Sequence, residues 1–166
     1  MSGQETCTLH RPVRRNFQRR RIIFSGIDDQ WQADLIDLTK LTKFNNGNTF
    51  VLIVIDVFSN FAWAEPLKNK TSKSVRKAFA KIVNRSGRKP LPLFLYTDRG
   101  LEFTNKLFQR WLKKKQIHFL TPQNQETKAA IAERMIRTLL SRVKRSVDVL
   151  PDFLRSCNAK YHRSIK

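Results

Sequence analysis

Ten consecutive residues, Thr49–Phe58 (TFVLIVIDVF), form a nearly unbroken apolar run. A run of that length is too short to cross a membrane and suits a buried strand. A buried strand needs partners, and the flanking sequence supplies them. Trp31–Leu38 alternates large apolar with polar side chains, as a strand does when its two faces differ. Phe61–Leu67 reads as a third strand. Asn45-Asn46-Gly47-Asn48 is a hairpin turn signal between the first two strands, and Ser59-Asn60 makes a turn between the second and third. Three antiparallel strands in succession are expected.

After residue 70 the period changes. Val75, Phe79, Ile82 and Val83 recur at helical spacing behind a Thr71 or Ser72 cap, and Gly87 and Pro90 end the segment. Leu91–Thr97 is a fourth, short strand. Thr104 is expected to cap a helix whose inward stripe is Leu107, Phe108, Trp111 and Leu112. Ile117–Leu120 makes a fifth strand, a polar loop covers Thr121–Thr127, and a long helix runs from about Lys128 to Val147. Pro151 suits the first position of a last helix carrying Phe153, Leu154, Cys157 and Tyr161. The order βββ-α-β-α-β-α-α predicts an α/β domain: a five-stranded mixed sheet, its first three strands antiparallel, with helices on both faces. Residues 1–24 read as a basic arm and 25–166 as one domain.

Charge narrows the partners. Lys plus Arg number 33 against 13 Asp plus Glu, a formal net charge of +20. Charge of that size repels itself in a compact chain, and nucleic acid is the partner that repays it by counterion release. An anionic membrane would call for a basic amphipathic helix or a lipidation signal, and neither is present. Arg11, Arg14, Arg15, Arg19, Arg20 and Arg21 crowd the arm, which admits two compatible roles, DNA contact and localisation. Cys7 and Cys157 make no disulfide framework, which fits a reducing intracellular compartment. His10, His118 and His162 lie far apart in sequence and pair with no cysteine cluster, so no structural zinc site is expected.

Carboxylates are scarce, so their positions carry information. Asp34 interrupts the first strand on the face opposite Trp31, and Asp98 lies where the fourth strand ends and Arg99-Gly100 turns away. Ligands bind at the carboxyl ends of strands in α/β sheets. Glu133 sits on the shoulder of the apolar stripe of the long helix. If the first and fourth strands are neighbours, all three converge. Three carboxylates without Cys or His suit hard cations, two Mg²⁺ or Mn²⁺ ions about 3.5–4 Å apart, serving an in-line phosphoryl transfer. The residues alone equally admit a core ion pair at Asp34, a turn at Asp98 and a solvated Glu133. Asp37 falls on the opposite strand face and reads as structural, Asp56 as a turn or pairing residue, and Glu102 as a contact to site water or DNA rather than a metal ligand.

Three motifs decide between these readings. Trp31-Gln32-Ala33-Asp34, the run Thr97-Asp98-Arg99-Gly100-Leu101-Glu102-Phe103, and Ala132-Glu133-Arg134 with Arg137-Thr138-Leu139 stand in order along the chain. They resemble the three motifs of the retroviral integrase superfamily. Asp98 and Glu133 are 35 positions apart, one short of the usual retroviral interval. Together with VIDVFSNFAWAEPL and the closing YHRSIK, this looks most like the integrases of Maverick/Polinton-type transposons.

The resemblance implies an RNase H-like fold and a metal-dependent DNA integrase in which Asp34, Asp98 and Glu133 are the catalytic metal ligands. It implies 3′-end processing and strand transfer, a homo-oligomeric active form, DNA ends and target duplex as partners, no membrane, and a nuclear location. Lys128, Arg134, Arg137 and Gln125, with Arg19, Arg20 and Arg21 of the arm, are the expected DNA contacts. Leu140 departs from the pattern, since relatives often carry Lys there. No HHCC zinc-binding module precedes the core and no DNA-binding module follows it, so an incomplete or weakly active core is expected. The alternatives are a catalytically silent DNA-binding relic and a metal-dependent nuclease of the same fold.

Overall fold

The computed structural model describes residues 26–121, 137–138, 148 and 150–159. Five strands form one sheet: β1 (Gln30–Asp37), β2 (Phe50–Asp56), β3 (Ala62–Leu67), β4 (Phe94–Tyr96) and β5 (His118–Leu120), in the order β3-β2-β1-β4-β5. β1, β2 and β3 pair antiparallel, while β4 pairs parallel with both β1 and β5. The helices are α1 (Ser72–Ser86), α2 (Leu101–Thr104), α3 (Lys106–Lys114) and α4 (Leu150–Asn158).

Two cores, one on each face of the sheet, explain the long apolar run. Leu52 and Val54 of β2 pack with Trp31, Phe79, Ile82 and Phe108 under α1 and α3. Val51, Ile53 and Ile55 point the other way and pack with Ile36, Leu150 and Phe153 under α4. Covered from both sides, Val51 through Ile55 are all 0% exposed. A strand with two dry faces has no position for a polar side chain, so its sequence cannot alternate.

α1 is built as its sequence requires. The Thr71 side chain accepts a hydrogen bond from the Ser74 N–H, and Gly87 closes the helix at φ 64°, a left-handed conformation that costs glycine nothing. Glu65 of β3 holds α1 from below, accepting from Lys81 Nζ at 2.8 Å and Arg85 at 3.3 Å.

Several local expectations needed correction. The segment between β1 and β2 is no tight hairpin: Thr39–Phe44 forms a 3-10 helix, and Asn46 and Gly47 at positive φ turn the chain only after it. Asp37 and Thr39 start that helix by bonding to each other, which outcompetes direct continuation of the strand. α3 is capped by Asn105, whose side chain accepts from the Leu107 N–H at 2.8 Å, because Thr104 is consumed as the last residue of the separate short helix α2. That shift turns Leu107 outward, where it is 46% exposed, while Phe108 and Leu112 face the core. β4 is confined to Phe94–Tyr96, and the last helix begins at Leu150, one residue before Pro151. Of the long helix expected over 128–147, the described residues Arg137 and Thr138 are helical; the rest of it, the loop 122–127, the arm 1–24 and Tyr161 lie outside the described residues.

The outer edge of β3 is closed by side chains. Ala62 bonds in both directions to the Asn158 amide of α4, donating at 2.8 Å and accepting at 3.0 Å; Arg85 donates to the Ala64 carbonyl; Pro66 has no N–H to offer. Asn158 thus stands in for a neighbouring strand. Asn158→Ala should lower stability by about 1 kcal/mol, the scale of a lost hydrogen-bonded pair that water partly replaces. Thermal denaturation reads the loss, and sedimentation should reveal weak self-association through the reopened edge.

Candidate active site

Asp34 lies in the middle of β1, half-buried, and Asp98 lies two residues beyond β4, exposed. Their relation follows from the parallel pairing, which sets Gln30 against Phe94, Trp31 against Leu95 and Gln32 against Tyr96. Carried two residues further, the same register sets Asp98 level with Asp34. Adjacent strands run about 4.8 Å apart, and in-register residues of parallel strands share a face. The β1–β4 pairing itself ends at Gln32 and Tyr96; beyond it the Thr97 N–H donates to the Leu120 carbonyl of β5 at 3.1 Å, which extends the β4–β5 ladder. The face is the one away from Trp31, as the sequence pattern required. On the other side of Asp34 is Ile53 of β2.

Local bonding fixes both carboxylates. Asp34 Oδ1 accepts from the Leu35 N–H at 2.7 Å. Asp98 Oδ1 accepts from the Gly100 N–H at 3.1 Å, and the Thr97 hydroxyl donates to the Asp98 carbonyl at 2.7 Å. A Cβ at Gly100 would stand 2.8–2.9 Å from the Glu102 carboxyl group, the end of a flexible side chain that folds back over it and would have to swing aside. Glu102 therefore borders the Asp98 turn, as its sequence position suggested. Arg137 and Thr138 are exposed and helical. Glu133, Lys128, Arg134, Gln125, Leu140, Arg19, Arg20 and Arg21 lie outside the described residues.

The remaining carboxylates separate cleanly by what they bond. Asp56, 0% exposed, accepts from the N–H groups of Phe58 and Ser59 and from the Ser59 hydroxyl, and so makes the turn between β2 and β3. Asp28 accepts from the Trp31 indole at 2.9 Å and from Arg88 at 3.4 Å; burial pushes its carboxyl above the usual range against those bonds. Both sit at the ends of β1 and β2 away from Asp34. Gln32 and Tyr96, each two residues before a candidate carboxylate and paired in register, form the floor of the site. Sequence reading missed them because only the β1–β4 register puts them side by side. Burial pushes the Tyr96 hydroxyl up.

The donor set matches a hard divalent cation. Asp34 on β1 and Asp98, two residues beyond the neighbouring β4, offer carboxylate oxygens, and the exposed His118 is a strand further, on β5. Among the described residues no cluster of three metal-binding side chains occurs, since the third candidate is Glu133. A cavity of about 910 Å³ lies elsewhere, between β3 and α4, lined by Phe61, Glu65, Arg85, Leu150, Leu154 and Arg155. β2 lies between β3 and the strand β1 that carries Asp34, and neither Asp34 nor Asp98 lines the cavity.

A three-stranded meander extended by parallel strands, with acids on the first and fourth, defines the RNase H-like class of fold. Within that class the chain belongs to the integrase core domain family, whose sequence pattern matches residues 28–142. A transposon-derived protein of Caenorhabditis elegans is 31% identical over 137 residues, covering 77% of this chain and 47% of that protein. The chain thus spans about half the length of that relative. The catalytic core domain of BIV integrase superposes with a TM-score of 0.57 at 20% identity, over 79% of this chain and 81% of that one. A simian T-cell lymphotropic virus intasome, solved with a PP2A regulatory subunit, gives 0.58 at 21% identity, over 79% of this chain and 47% of that one.

Asp37, three residues from Asp34, offers a contrast that can be measured. Its hydrogen bonds from the Thr39 side chain and N–H hold its carboxyl below the ordinary value of 3.8. Bonds to the ionised form stabilise the fold fully above pH 3.8, and that contribution disappears as pH falls through the lower folded value. Asp37→Asn should therefore cause a small loss at neutral pH, limited by solvent screening, and none at about pH 2. Denaturant unfolding of both proteins from about pH 2 to neutrality reads the difference.

Proposed function

We propose that this chain is the catalytic core of a DNA integrase or transposase, a metal-dependent polynucleotidyl transferase. One observation supports the reading: β1 pairs parallel with β4, so the strand that carries Asp34 neighbours the strand that leads into Asp98. Glu133, in the third sequence motif, is the third candidate ligand. Asp34, Asp98 and Glu133 would hold two Mg²⁺ or Mn²⁺ ions, which when bound supply Lewis-acid activation of phosphate and hydroxyl oxygens. The protein's own part is positioning. β1 and β4 fix two carboxylates on a rigid sheet, and the Gly100 N–H and Thr97 hydroxyl lock the turn that carries Asp98. The net charge of +20 draws DNA to the domain, with Lys128, Arg134, Arg137 and Gln125 placing the strand.

The reaction proposed is 3′-end processing followed by attack of the freed 3′-hydroxyl on target duplex, in a homo-oligomer and in the nucleus. Motif spacing favours the Maverick/Polinton group of transposons as the source, with 35 positions between Asp98 and Glu133.

Asp34→Asn, Asp98→Asn and Glu133→Gln should each reduce Mg²⁺- or Mn²⁺-dependent cleavage and joining of labelled DNA by at least about 100-fold, since each removes a charged group that neutralises the transition state. Folding should survive in the two aspartate variants, because Asp98 is exposed and Asp34 is half-buried and outside both hydrophobic cores; the melting curve of Glu133→Gln checks the third. Melting temperature should rise with Mn²⁺ in the parent and fail to rise in the variants. Cleavage at parental rates in all three variants would refute the assignment. Joining absent but hydrolysis retained in the parent would make the protein a nuclease, and metal binding without either reaction would make it a DNA-binding relic.

Deleting residues 1–22 removes Arg11, Arg14, Arg15, Arg19, Arg20 and Arg21. The slope of log affinity against log salt should become shallower by about 0.9 for each phosphate no longer neutralised. Fluorescence anisotropy with a random duplex measures it; an unchanged slope leaves localisation as the role of the arm.

A further inference from the structure

α1 and α3 lie side by side on the face of the sheet opposite Asp34, sharing one core through Phe79, Ile82, Phe108 and Leu112. Their outward faces carry charge of a single sign. Neither SKSVRKAFAKIVNRS nor KLFQRWLKK contains an acid. Lys73 and Lys77 stand one turn apart on α1; Lys106, Arg110 and Lys113 line α3 at steps of four and three, all exposed. Arg76 rises on the flank of α1 beside them, its Nε buried without a hydrogen-bond partner. None of the six forms an ion pair among the described residues, whereas Lys81, Arg85 and Arg88 do.

This arrangement works against the stability of the domain. Like charges three or four residues apart repel on a helix. Lys73 and Lys106 also occupy first turns, where the helix dipole disfavours cations. Lys113, in the last turn of α3, is the one of the six that the helix dipole favours; the others find no compensation within the described residues, so the use of the cluster lies in a polyanion that neutralises it. The surface also indicates which polyanion. The apolar stripes of both helices are spent on the sheet core, and Leu107 is the one large apolar side chain exposed on α1 or α3 among the described residues, too little for insertion into a lipid interface. Among the six there is no aromatic ring on which unpaired bases could stack. What remains is binding to a run of phosphates.

We propose that the outer surface of α1 and α3 is a second duplex-DNA-binding surface, gripping the phosphate backbone without reading sequence. It lies across the sheet from the carboxylates, so one copy of the chain can hold a duplex on each side. This proposal is independent of the catalytic reading, because it needs neither metal nor chemistry.

The test uses the full chain with Lys73, Lys77, Lys106, Arg110 and Lys113 changed to Gln, a residue that keeps helix propensity. Binding of a random duplex should lose about 0.9 from its salt slope for each phosphate left without its cation. Capture of a second, labelled duplex on beads bearing the first should fall at least tenfold. A companion carrying Lys73→Arg, Lys77→Arg, Lys106→Arg and Lys113→Arg should retain both properties. At low salt the Gln variant should melt no lower than the parent, since repulsion has been relieved. The proposal is overturned if slope and bridging are unchanged. It is also overturned if neutralising Lys40, Lys43 and Lys68, which lie off these helices, costs as much per charge. Stripe-dependent binding to phosphatidylserine vesicles with none to duplex would overturn it in favour of a membrane surface.

Discussion

The parallel pairing of β1 with β4 is the interaction on which the rest depends. A tight turn cannot make it: parallel neighbours need a crossover long enough to bring the chain back to the starting edge. Here the crossover is β2, β3 and α1, and the whole first half of the domain serves that return. The core beneath α1, built from Trp31, Phe79, Ile82 and Leu95, is what holds β4 against β1, since β4 itself has only three residues. Without that packing so short a strand could not keep its register, and the register is what sets the strand leading into Asp98 beside the strand that carries Asp34.

The two ends of the sheet are managed differently. At the end away from Asp34, polar groups are tied to each other: Asp56 makes the β2–β3 turn, and Asp28 accepts from Trp31 and from Arg88. The Arg88 guanidinium also lies over the rings of Phe61 and Trp63 at 5.5 and 5.8 Å. These carboxylates spend their bonding on the protein. Asp34 and Asp98 face the other way, each accepting a short-range bond from an N–H one or two residues along the chain. Burial alone does not sort the two kinds, for Asp56 is fully buried and purely structural. Position along the sheet sorts them: Asp28 and Asp56 lie at the end where β1 begins, Asp34 and Asp98 toward the other.

The two faces differ as well. One presents the acids; the other presents helices from which acids are missing. In a chain of net charge +20 the few negative groups are used for turns, for the Glu65 anchor of α1 and for the candidate site, and the helical surface is left to accumulate positive charge. A partner of opposite charge is therefore part of the physics of this domain.

Much of this was legible in the sequence. The doubly buried strand was visible as TFVLIVIDVF, the first helix as a capped apolar stripe ending at Gly87, and Asp34 as an acid on the face away from Trp31. These are local patterns, set by period, cap and turn chemistry within a few residues. Where two local solutions competed, sequence chose badly. Thr104 and Asn105 can both cap a helix, and only the short α2, closed over the Gly100–Glu102 turn, hands the cap to Asn105 and turns Leu107 outward. The Asn45–Asn48 signal is real, but Asp37 and Thr39 divert the chain into a 3-10 helix first. What only the tertiary structure decided is adjacency: that β1 neighbours β4, that Gln32 meets Tyr96, that Asn158 closes an edge 96 residues away, and that α1 packs beside α3. Each joins residues far apart in the chain through packing of side chains that carry no record of their partners. Period and composition fix what a segment will bury; which segment buries it is settled only when the cores close.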